Sequence, residues 1–289
     1  MAVHEHTFLS LNCFFMGVSS CLGLLIVRTW THIAALLPAF LCVDYIYLKG
    51  FLRDEEYRVG VRATFLGVVF AIGVIIVDLG SSPLKPLGVH TCVLSMFHFS
   101  EFLAIAVTNP GTLSVRSYVL DNGWEYKVAA IACWLEYFVE FYLFPGLKTT
   151  WYLNAIGLLM CVSGEFLRKL AMWTASTNFN HEVQSVHKKD HVLITDGIYK
   201  YMRHPSYVGW FLWSVGSQIL VVNPICLIGY TFVSWSFFNQ RVFYEEITLL
   251  NFFGNSYYNY QQTTGTGLPF IKGYVLPESD IDADDSNTS

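Results

Sequence analysis

The sequence predicts an all-α integral membrane protein with about eight transmembrane helices, the last two forming a short helical hairpin. Only 13% of the 289 residues are charged, against roughly 25% in soluble domains. Apolar runs also recur at the length that crosses a bilayer, about 20 helical residues. Such runs must be helical, because lipid cannot hydrogen-bond free backbone groups. The predicted spans are 7–27, 32–48, 63–79, 89–107, 128–144, 151–173, 207–222 and 225–240.

Polar and turn-forming stretches separate these runs. A charged loop is predicted at 49–62, and a turn with two prolines at 80–88. The last two runs have 16 residues each and would be about 24 Å long at 1.5 Å per residue. That is less than the roughly 30 Å of hydrocarbon. We therefore expect a hairpin, joined at Asn223-Pro224, that spans with local thinning or is partly re-entrant.

The distribution of basic residues predicts the orientation. With eight spans and both termini in the cytosol, fourteen of the 17 Lys and Arg residues fall on the cytosolic side. Only Arg28, Lys85 and Lys148 fall on the other side. This bias follows the positive-inside rule. The long polar segment 174–206 is therefore predicted to face the cytosol.

The chain divides into three predicted regions. Residues 1–173 form an N-terminal transmembrane scaffold of about six spans, and 174–273 form a second region, which holds the candidate functional residues. Residues 274–289 are acidic and lack periodicity, so they are predicted to be a disordered tail. The seven cysteines lie in apolar runs without metal-ligand spacing, so neither a metal site nor a disulfide is expected.

The stretch 191–209 (HVLITDGIYKYMRHPSYVG) concentrates polar, glycine and proline residues in an apolar chain. Thr195-Asp196-Gly197 predicts a turn, because glycine tolerates a left-handed conformation. Pro205 disfavours helix at the residue before it and suits the first turn of a new helix. A polar cluster at a helix N-terminus favours anionic groups. The alternative is that Arg203 and His204 are interfacial residues beside an aromatic belt.

Further charges lie near or within the predicted spans. Arg241 and Glu245 are spaced i, i+4 on one helix face; they form either a surface ion pair or a site for an anionic substrate group. Glu165 and Arg168, spaced i, i+3, are expected to pair with each other. Charges inside spans indicate functional sites by default, and the others are Asp44, Asp78, Glu101, Glu136 and Glu140.

Several motifs together resemble the isoprenylcysteine carboxyl methyltransferase family. They are the run HVLITDGIYKYMRHPSYVGW, the Asn223-Pro224 hairpin, the Arg241–Glu245 face and the ending GLPFIKG at 267–273. The match covers about 178–273. The R-H-P-x-Y-x-G part alone also occurs in phospholipid methyltransferases and in membrane sterol reductases that use NADPH. The ending and the Arg/Glu face favour the first family.

The resemblance implies an enzyme of the endoplasmic reticulum membrane with its active site facing the cytosol. It implies transfer of a methyl group from S-adenosyl-L-methionine to the C-terminal carboxylate of a farnesyl- or geranylgeranyl-cysteine, on CaaX-processed proteins such as small GTPases. Membrane lipid is the other expected partner, and no nucleic acid or metal is expected. The family's substrate-binding and catalytic arginine falls on Arg241. Its cofactor-binding positions fall on Gln184, His191, Val192, Leu193, Ile194, Tyr199, His204, Pro205, Ser206, Tyr207 and Glu245.

These residue types suit methyl transfer to a carboxylate. A terminal carboxyl group has a pKa of about 3.5 and is already ionised at neutral pH, so in-line displacement needs no general base. The reaction needs the carboxylate to lie in line with the methyl group and to lose its hydration water. A planar Arg side chain can hold a carboxylate in one direction. Two other hypotheses are an NADPH-dependent sterol reductase, which needs arginines for a 2′-phosphate, and a non-catalytic lipid transporter or scaffold.

Overall fold

The computed structural model describes residues 2–121, 123–184, 186–187 and 191–275, with side chains from residue 5 onward. In this part of the chain the regular elements are helices, without a strand, which confirms the all-α prediction. Most of the predicted acidic tail, residues 276–289, lies outside the described residues. The helices are α1 Ala2–Leu22, α2 Trp30–Phe51, α3 Asp54–Leu79, α4 Lys85–Thr108, α5 Gly123–Leu143, α6 Pro145–Lys148, α7 Trp151–Ala175, α8 Pro205–Val221, α9 Pro224–Phe253 and α10 Asn255–Thr263.

Four segments are long and apolar enough to cross a membrane by length and composition. They are Glu5–Val27, Trp30–Phe51, Asp54–Leu79 and Ser82–Thr108, which correspond to the first four predicted spans. The later described helices do not meet the same limits of length, hydropathy and charge; α8, for example, has 17 residues. Eight spans therefore remains a prediction, whereas a membrane protein built from helices agrees with the sequence.

Two predicted connections are shorter than expected. The predicted loop 49–62 is wrong over most of its length, because α2 continues to Phe51 and α3 begins at Asp54. The first turn of α3 contains three acidic residues, which are favourable at the positive end of the helix dipole. The predicted turn 80–88 ends at Leu84, because Pro86 lies in the first turn of α4, where no backbone N–H is required.

The predicted hairpin is present, but its second helix is long. The run 225–240 continues without a break into a 30-residue α9, about 45 Å long at 1.5 Å per residue. Arg241 and Glu245 therefore lie on the same helix as that run. Lys148 holds the turn by donating to the carbonyl oxygens of Val221 and Val222 at 3.1 and 2.9 Å. These are carbonyls that a helix end leaves unpaired.

Helices α7 and α8 touch at the level of their backbones. A Cβ atom on Gly164 would lie 2.5 Å from the carbonyl oxygen of Gly209, and one on Gly209 would lie 2.6 Å from that of Gly164. Only glycine allows this separation, and small residues are typical of close helix contacts in membranes. The contact places Arg168 of α7 beside Ser206 of α8, with 2.7 Å between the guanidinium Nη1 and the hydroxyl oxygen.

Candidate active site

A cavity of about 160 Å³ lies between the linker residues 178–184 and 191–194, the N-terminal end of α8 and the C-terminal half of α9. We call it the linker cavity. The eleven cofactor positions that the resemblance implies all line it: Gln184, His191, Val192, Leu193, Ile194, Tyr199, His204, Pro205, Ser206, Tyr207 and Glu245. The fold thus brings together residues that are separated by up to 61 positions in the sequence.

The linker cavity also has lining residues that the sequence did not single out. Leu249 and Phe252 follow Glu245 on the same face of α9, four and seven positions later. That spacing indicates that they line the same cavity as Glu245, because positions i, i+4 and i+7 share a helix face. Tyr257 and Tyr260 come from α10, whose position depends on a turn at Gly254, where φ is 50°.

The predicted turn at 195–197 is present and leads to Tyr199, which lines the linker cavity. Gly197 has a φ of 55°, in the left-handed region. A short 3₁₀ turn, Gly197–Lys200, follows it. The Tyr260 hydroxyl donates to the carbonyl oxygen of Tyr199 at 2.5 Å, and burial raises the pKa of Tyr260 to about 12. The Tyr199 hydroxyl in turn donates to the carbonyl oxygen of Ala171 at 3.4 Å, so Tyr199 is held by both α10 and α7.

Arg203 and His204 are buried, so the interfacial alternative is wrong. Their side chains reach Glu246 Oε1, from Arg203 Nε at 2.7 Å and from His204 Nε2 at 2.9 Å. Burial alone would raise the pKa of Glu246, which lies beyond the predicted span 225–240, but these donors outweigh burial and hold the pKa below its ordinary value. Arg203 Nη2 also donates to the carbonyl oxygen of Lys272 at 2.9 Å. The cluster thus fastens the C-terminal segment to α8 and α9.

Tyr207 lies between Arg241 and Glu245. Its hydroxyl donates to the Glu245 carboxylate and accepts from Arg241 Nε at 3.2 Å. Arg241 Nη2 donates to the carbonyl oxygen of His181 at 2.6 Å. Within the part of the chain that the structure describes, Arg241 forms no ion pair, so the predicted alternative of a direct Arg241–Glu245 pair is wrong.

A second cavity, of about 850 Å³, lies on the other side of Tyr207. We call it the arginine cavity. Arg168 and Arg241 line it together with an apolar wall, formed by Ile105, Trp210, Phe237 and Phe238. The two cavities share Phe179, Asn180, Glu182 and Tyr207. A polar ligand in one cavity and an apolar ligand in the other would therefore meet at Tyr207.

A buried charge cluster supports this wall. Arg168 contacts Glu101 through Nε–Oε1 at 2.8 Å and Nη2–Oε2 at 2.7 Å, so the predicted pairing of Arg168 with Glu165 is wrong. Glu165 instead lies 3.0 Å from Lys169 Nζ. His181 Nε2 lies 2.7 Å from Glu101 Oε2. The guanidinium of Arg168 also lies over the Trp210 ring, 4.7 Å from its centroid. The cluster joins α4, α7 and the linker beside the arginine cavity.

Comparison with known proteins gives consistent results. A model of the isoprenylcysteine carboxyl methyltransferase family matches residues 156–251. The protein-S-isoprenylcysteine O-methyltransferase of Tribolium castaneum is 47% identical over 80% of this chain and 83% of its own length. The human enzyme of the same name is 43% identical over 92% of this chain and 93% of its own length.

A solved structure of a eukaryotic intramembrane Ras methyltransferase, an isoprenylcysteine carboxyl methyltransferase, has the same fold. It superposes with a TM-score of 0.88, is 42% identical, and covers 93% of this chain and 99% of its own. The similarity therefore includes the helices that form both cavities. The chain belongs to the isoprenylcysteine carboxyl methyltransferase family, and it is a membrane methyltransferase.

Proposed function

We propose that the enzyme transfers a methyl group from S-adenosyl-L-methionine to the C-terminal carboxylate of farnesyl- or geranylgeranyl-cysteine on CaaX-processed proteins such as small GTPases. The active site faces the cytosol in the endoplasmic reticulum membrane. One observation carries the proposal: Tyr207 lies between the linker cavity and a larger cavity that has an apolar wall and Arg241, which forms no ion pair with a described residue. The names of the relatives, which give isoprenylcysteine as the methylated group, support it.

The lining of the linker cavity fits S-adenosyl-L-methionine chemically. The Glu245 carboxylate can accept hydrogen bonds from ribose hydroxyls or from the adenine amine, and His191 and His204 can donate to a carboxylate. Leu249 and Phe252 offer an apolar surface for a purine ring. When bound, S-adenosyl-L-methionine supplies an electrophilic methyl group on a sulfonium centre.

Arg241 is suited to bind the carboxylate of the substrate. Its guanidinium is planar and can bind a carboxylate with two parallel hydrogen bonds, which fixes the direction of the attacking oxygen. The prenyl chain would lie against Ile105, Trp210 and Phe238, gaining up to about 0.8 kcal/mol per buried methylene. The carboxylate is ionised at neutral pH, so no residue needs to remove a proton from it. Arg241 and the apolar wall need only orient the carboxylate and exclude water.

The two enzymatic alternatives fit less well. Among the described residues that line the linker cavity, Arg203 is the only arginine, and Glu246 already binds it. No arginine there is left for the 2′-phosphate of NADPH. The family membership favours carboxyl methylation over phospholipid N-methylation.

The test is methyl transfer by the purified enzyme from radiolabelled S-adenosyl-L-methionine to N-acetyl-farnesylcysteine. We expect a base-labile methyl ester to form, because an ester releases methanol in base. The control substrate is the same compound with its carboxyl group converted to an amide, which should accept no label. Oxidation of NADPH with a sterol substrate, or label in phospholipid and none in farnesylcysteine, would contradict the proposal.

Replacing Glu245 with Ala is expected to weaken binding of the cofactor more than binding of the prenyl substrate. Hydrogen bonds to a charged group contribute about 1.5–3 kcal/mol, so the Kd for S-adenosylhomocysteine should rise about 10-fold to 100-fold. The measurement is a titration of thermal stability with S-adenosylhomocysteine, since a ligand stabilises the folded state that binds it. Tyr244→Ala, at the exposed neighbouring position, is the control. An unchanged Kd in Glu245→Ala would refute this role.

A further inference from the structure

The chain after α10 forms a loop that returns to the place where it starts. Arg203, which is paired with Glu246, donates to the carbonyl oxygen of Thr264 through Nη1 and to that of Lys272 through Nη2. The two arms of the loop therefore begin side by side at one buried ion pair. We call the residues between these two arms, 265–271, the return loop.

The tip of the return loop lies well below this ion pair along α9. The indole Nε1 of Trp235 donates to the carbonyl oxygen of Pro269 at 2.8 Å. Trp235 precedes Glu246 by eleven positions on α9, which is about 16 Å along the helix axis at 1.5 Å per residue. The return loop thus runs along α9 from the level of Glu246 towards the hairpin turn and comes back.

The surface of α9 indicates the depth of this tip in the membrane. The first exposed residues of the helix are all apolar: Pro224, Ile225, Ile228, Gly229, Phe232, Val233 and Phe237. The next exposed residues are Asn239 and Gln240. On a membrane helix, an apolar surface contacts lipid, and polar side chains begin near the headgroups and water. Trp235 lies on the apolar side of this boundary, and so does the Pro269 carbonyl that it binds.

The backbone of the return loop is paired in a way that suits this depth. Irregular backbone in contact with lipid is costly unless its polar groups have partners. The Thr266 hydroxyl donates to the carbonyl oxygen of Ile271 at 2.6 Å and accepts from the N–H of Leu268 at 3.3 Å. The Ile271 N–H donates to the Leu268 carbonyl oxygen at 3.4 Å, and Pro269 has no N–H to pair. The return loop therefore makes its hydrogen bonds within itself and to Trp235.

Phe270, at the tip, is directed away from the protein. Leu268 and Ile271 are buried in one apolar cluster with Phe238 of α9, whereas Phe270 is 95% exposed. Phe270 also has a φ of 62°, in the left-handed region that bulky side chains rarely adopt. Strain of this kind indicates a role for the residue that carries it. At the depth of Trp235, the contact available to the exposed ring is lipid.

We propose that the return loop is a membrane wedge, in which Phe270 inserts into the bilayer among acyl chains close to the headgroups. The ring binds lipid, at the end of the α9 apolar surface nearest to Arg241. Because Leu268 and Ile271 pack beside Phe238, which lines the arginine cavity, the wedge fixes that cavity at the membrane surface. The inference goes beyond the proposed function and depends on α9 lying in the membrane.

The experiment measures the depth of a nitroxide spin label in vesicles of dioleoylphosphatidylcholine. A label on Phe270→Cys is compared with labels on Phe232→Cys, on the apolar surface of α9, and on Gln262→Cys, at an exposed position of α10. All three variants carry Cys42→Ala, because Cys42 is exposed. The Cys42→Ala protein without an added cysteine gives the background signal.

Oxygen concentrates among acyl chains, whereas a neutral nickel chelate stays in water. We expect the ratio of oxygen to nickel accessibility at position 270 to match that at 232 and to exceed that at 262. Each labelled variant should still gain thermal stability with S-adenosylhomocysteine, which shows that it is folded.

A charge at the tip provides a second measurement. Phe270→Asp would place a carboxylate in the bilayer, which is costly, so in lipid nanodiscs it should unfold at a lower temperature than Phe270→Leu. In water the order would be reversed, because Asp tolerates the left-handed conformation better than Leu. Val275→Asp, at an exposed position beyond the return loop, is the matched control and should unfold like the wild type.

Three results would overturn the inference. An accessibility ratio at position 270 equal to that at 262 would place the ring in water. Protection of position 270 from both reagents would mean that protein, and not lipid, covers the ring. Unfolding of Phe270→Asp at or above the temperature of Phe270→Leu would contradict insertion of the side chain. Methylation of N-acetyl-farnesylcysteine by the wild type would support the proposed function in each of these cases.

Discussion

Arg241→Ala is expected to abolish carboxyl methylation while leaving the protein folded. The side chain would lose two charge-assisted hydrogen bonds to the substrate carboxylate, each contributing about 1.5–3 kcal/mol, so kcat/KM should fall at least about 100-fold. The fold should survive, because the polar contacts of Arg241 are the Tyr207 hydroxyl and the His181 carbonyl oxygen, not a buried carboxylate. The measurement is methyl transfer to N-acetyl-farnesylcysteine, with thermal stability measured in parallel.

Two variants sharpen this result. Arg241→Lys keeps the charge and removes the planar fork, so it should recover only part of the activity. Gln240→Ala, at the exposed neighbouring position, should behave as the wild type. Arg241→Ala should also still bind S-adenosylhomocysteine, because Arg241 lines only the arginine cavity. Turnover like the wild type in a folded Arg241→Ala protein would exclude the proposed role.

Glu101→Ala is expected to be the most destabilising single substitution near the site. Glu101 is 0% exposed and binds Arg168, Lys169 and His181. Removing one partner of a buried ion pair leaves the other charge uncompensated, which costs about 3–5 kcal/mol. A large fall in the thermal unfolding temperature in detergent should show it.

The double variant Glu101→Leu/Arg168→Met distinguishes the effect of the buried charges from the effect of the volume that these side chains fill. Replacing a buried ion pair with apolar residues of similar volume is often neutral for stability, so the double variant should be more stable than Glu101→Ala. Glu165→Ala, whose side chain is 25% exposed, should cost less than Glu101→Ala. If Glu101→Ala unfolded at the wild-type temperature, the cluster would not be holding α4 to α7.

Local patterns predicted much of the fold and one side of the site. Apolar runs of helical length located the four candidate spans, and Pro205 located the start of α8, because these signals act over a few residues. Every position that the resemblance assigned to the cofactor lines one cavity. Their roles remain predictions.

The parts that the sequence did not predict depend on contacts between distant residues. Glu101 and Arg168 are 67 positions apart, and nothing in one sequence indicates that α4 meets α7 there. The i, i+3 rule therefore selected Glu165, the neighbour in sequence, as the partner of Arg168. The lining of the arginine cavity has the same origin: Arg58 and Arg116 both line it because α3 packs against the turn Val115–Tyr118.

The contact of α7 and α8 at Gly164 and Gly209 has consequences for motion. Two backbones that touch cannot slide past each other without losing the contact, so the two helices should behave as one rigid body. Arg168 and Tyr207 then keep their separation throughout a catalytic cycle. Helix α9, in contrast, meets α8 through side chains such as Tyr207 and Phe238, with ring centroids 5.2 Å apart. The α8 side of the site is therefore preorganised by its contact with α7.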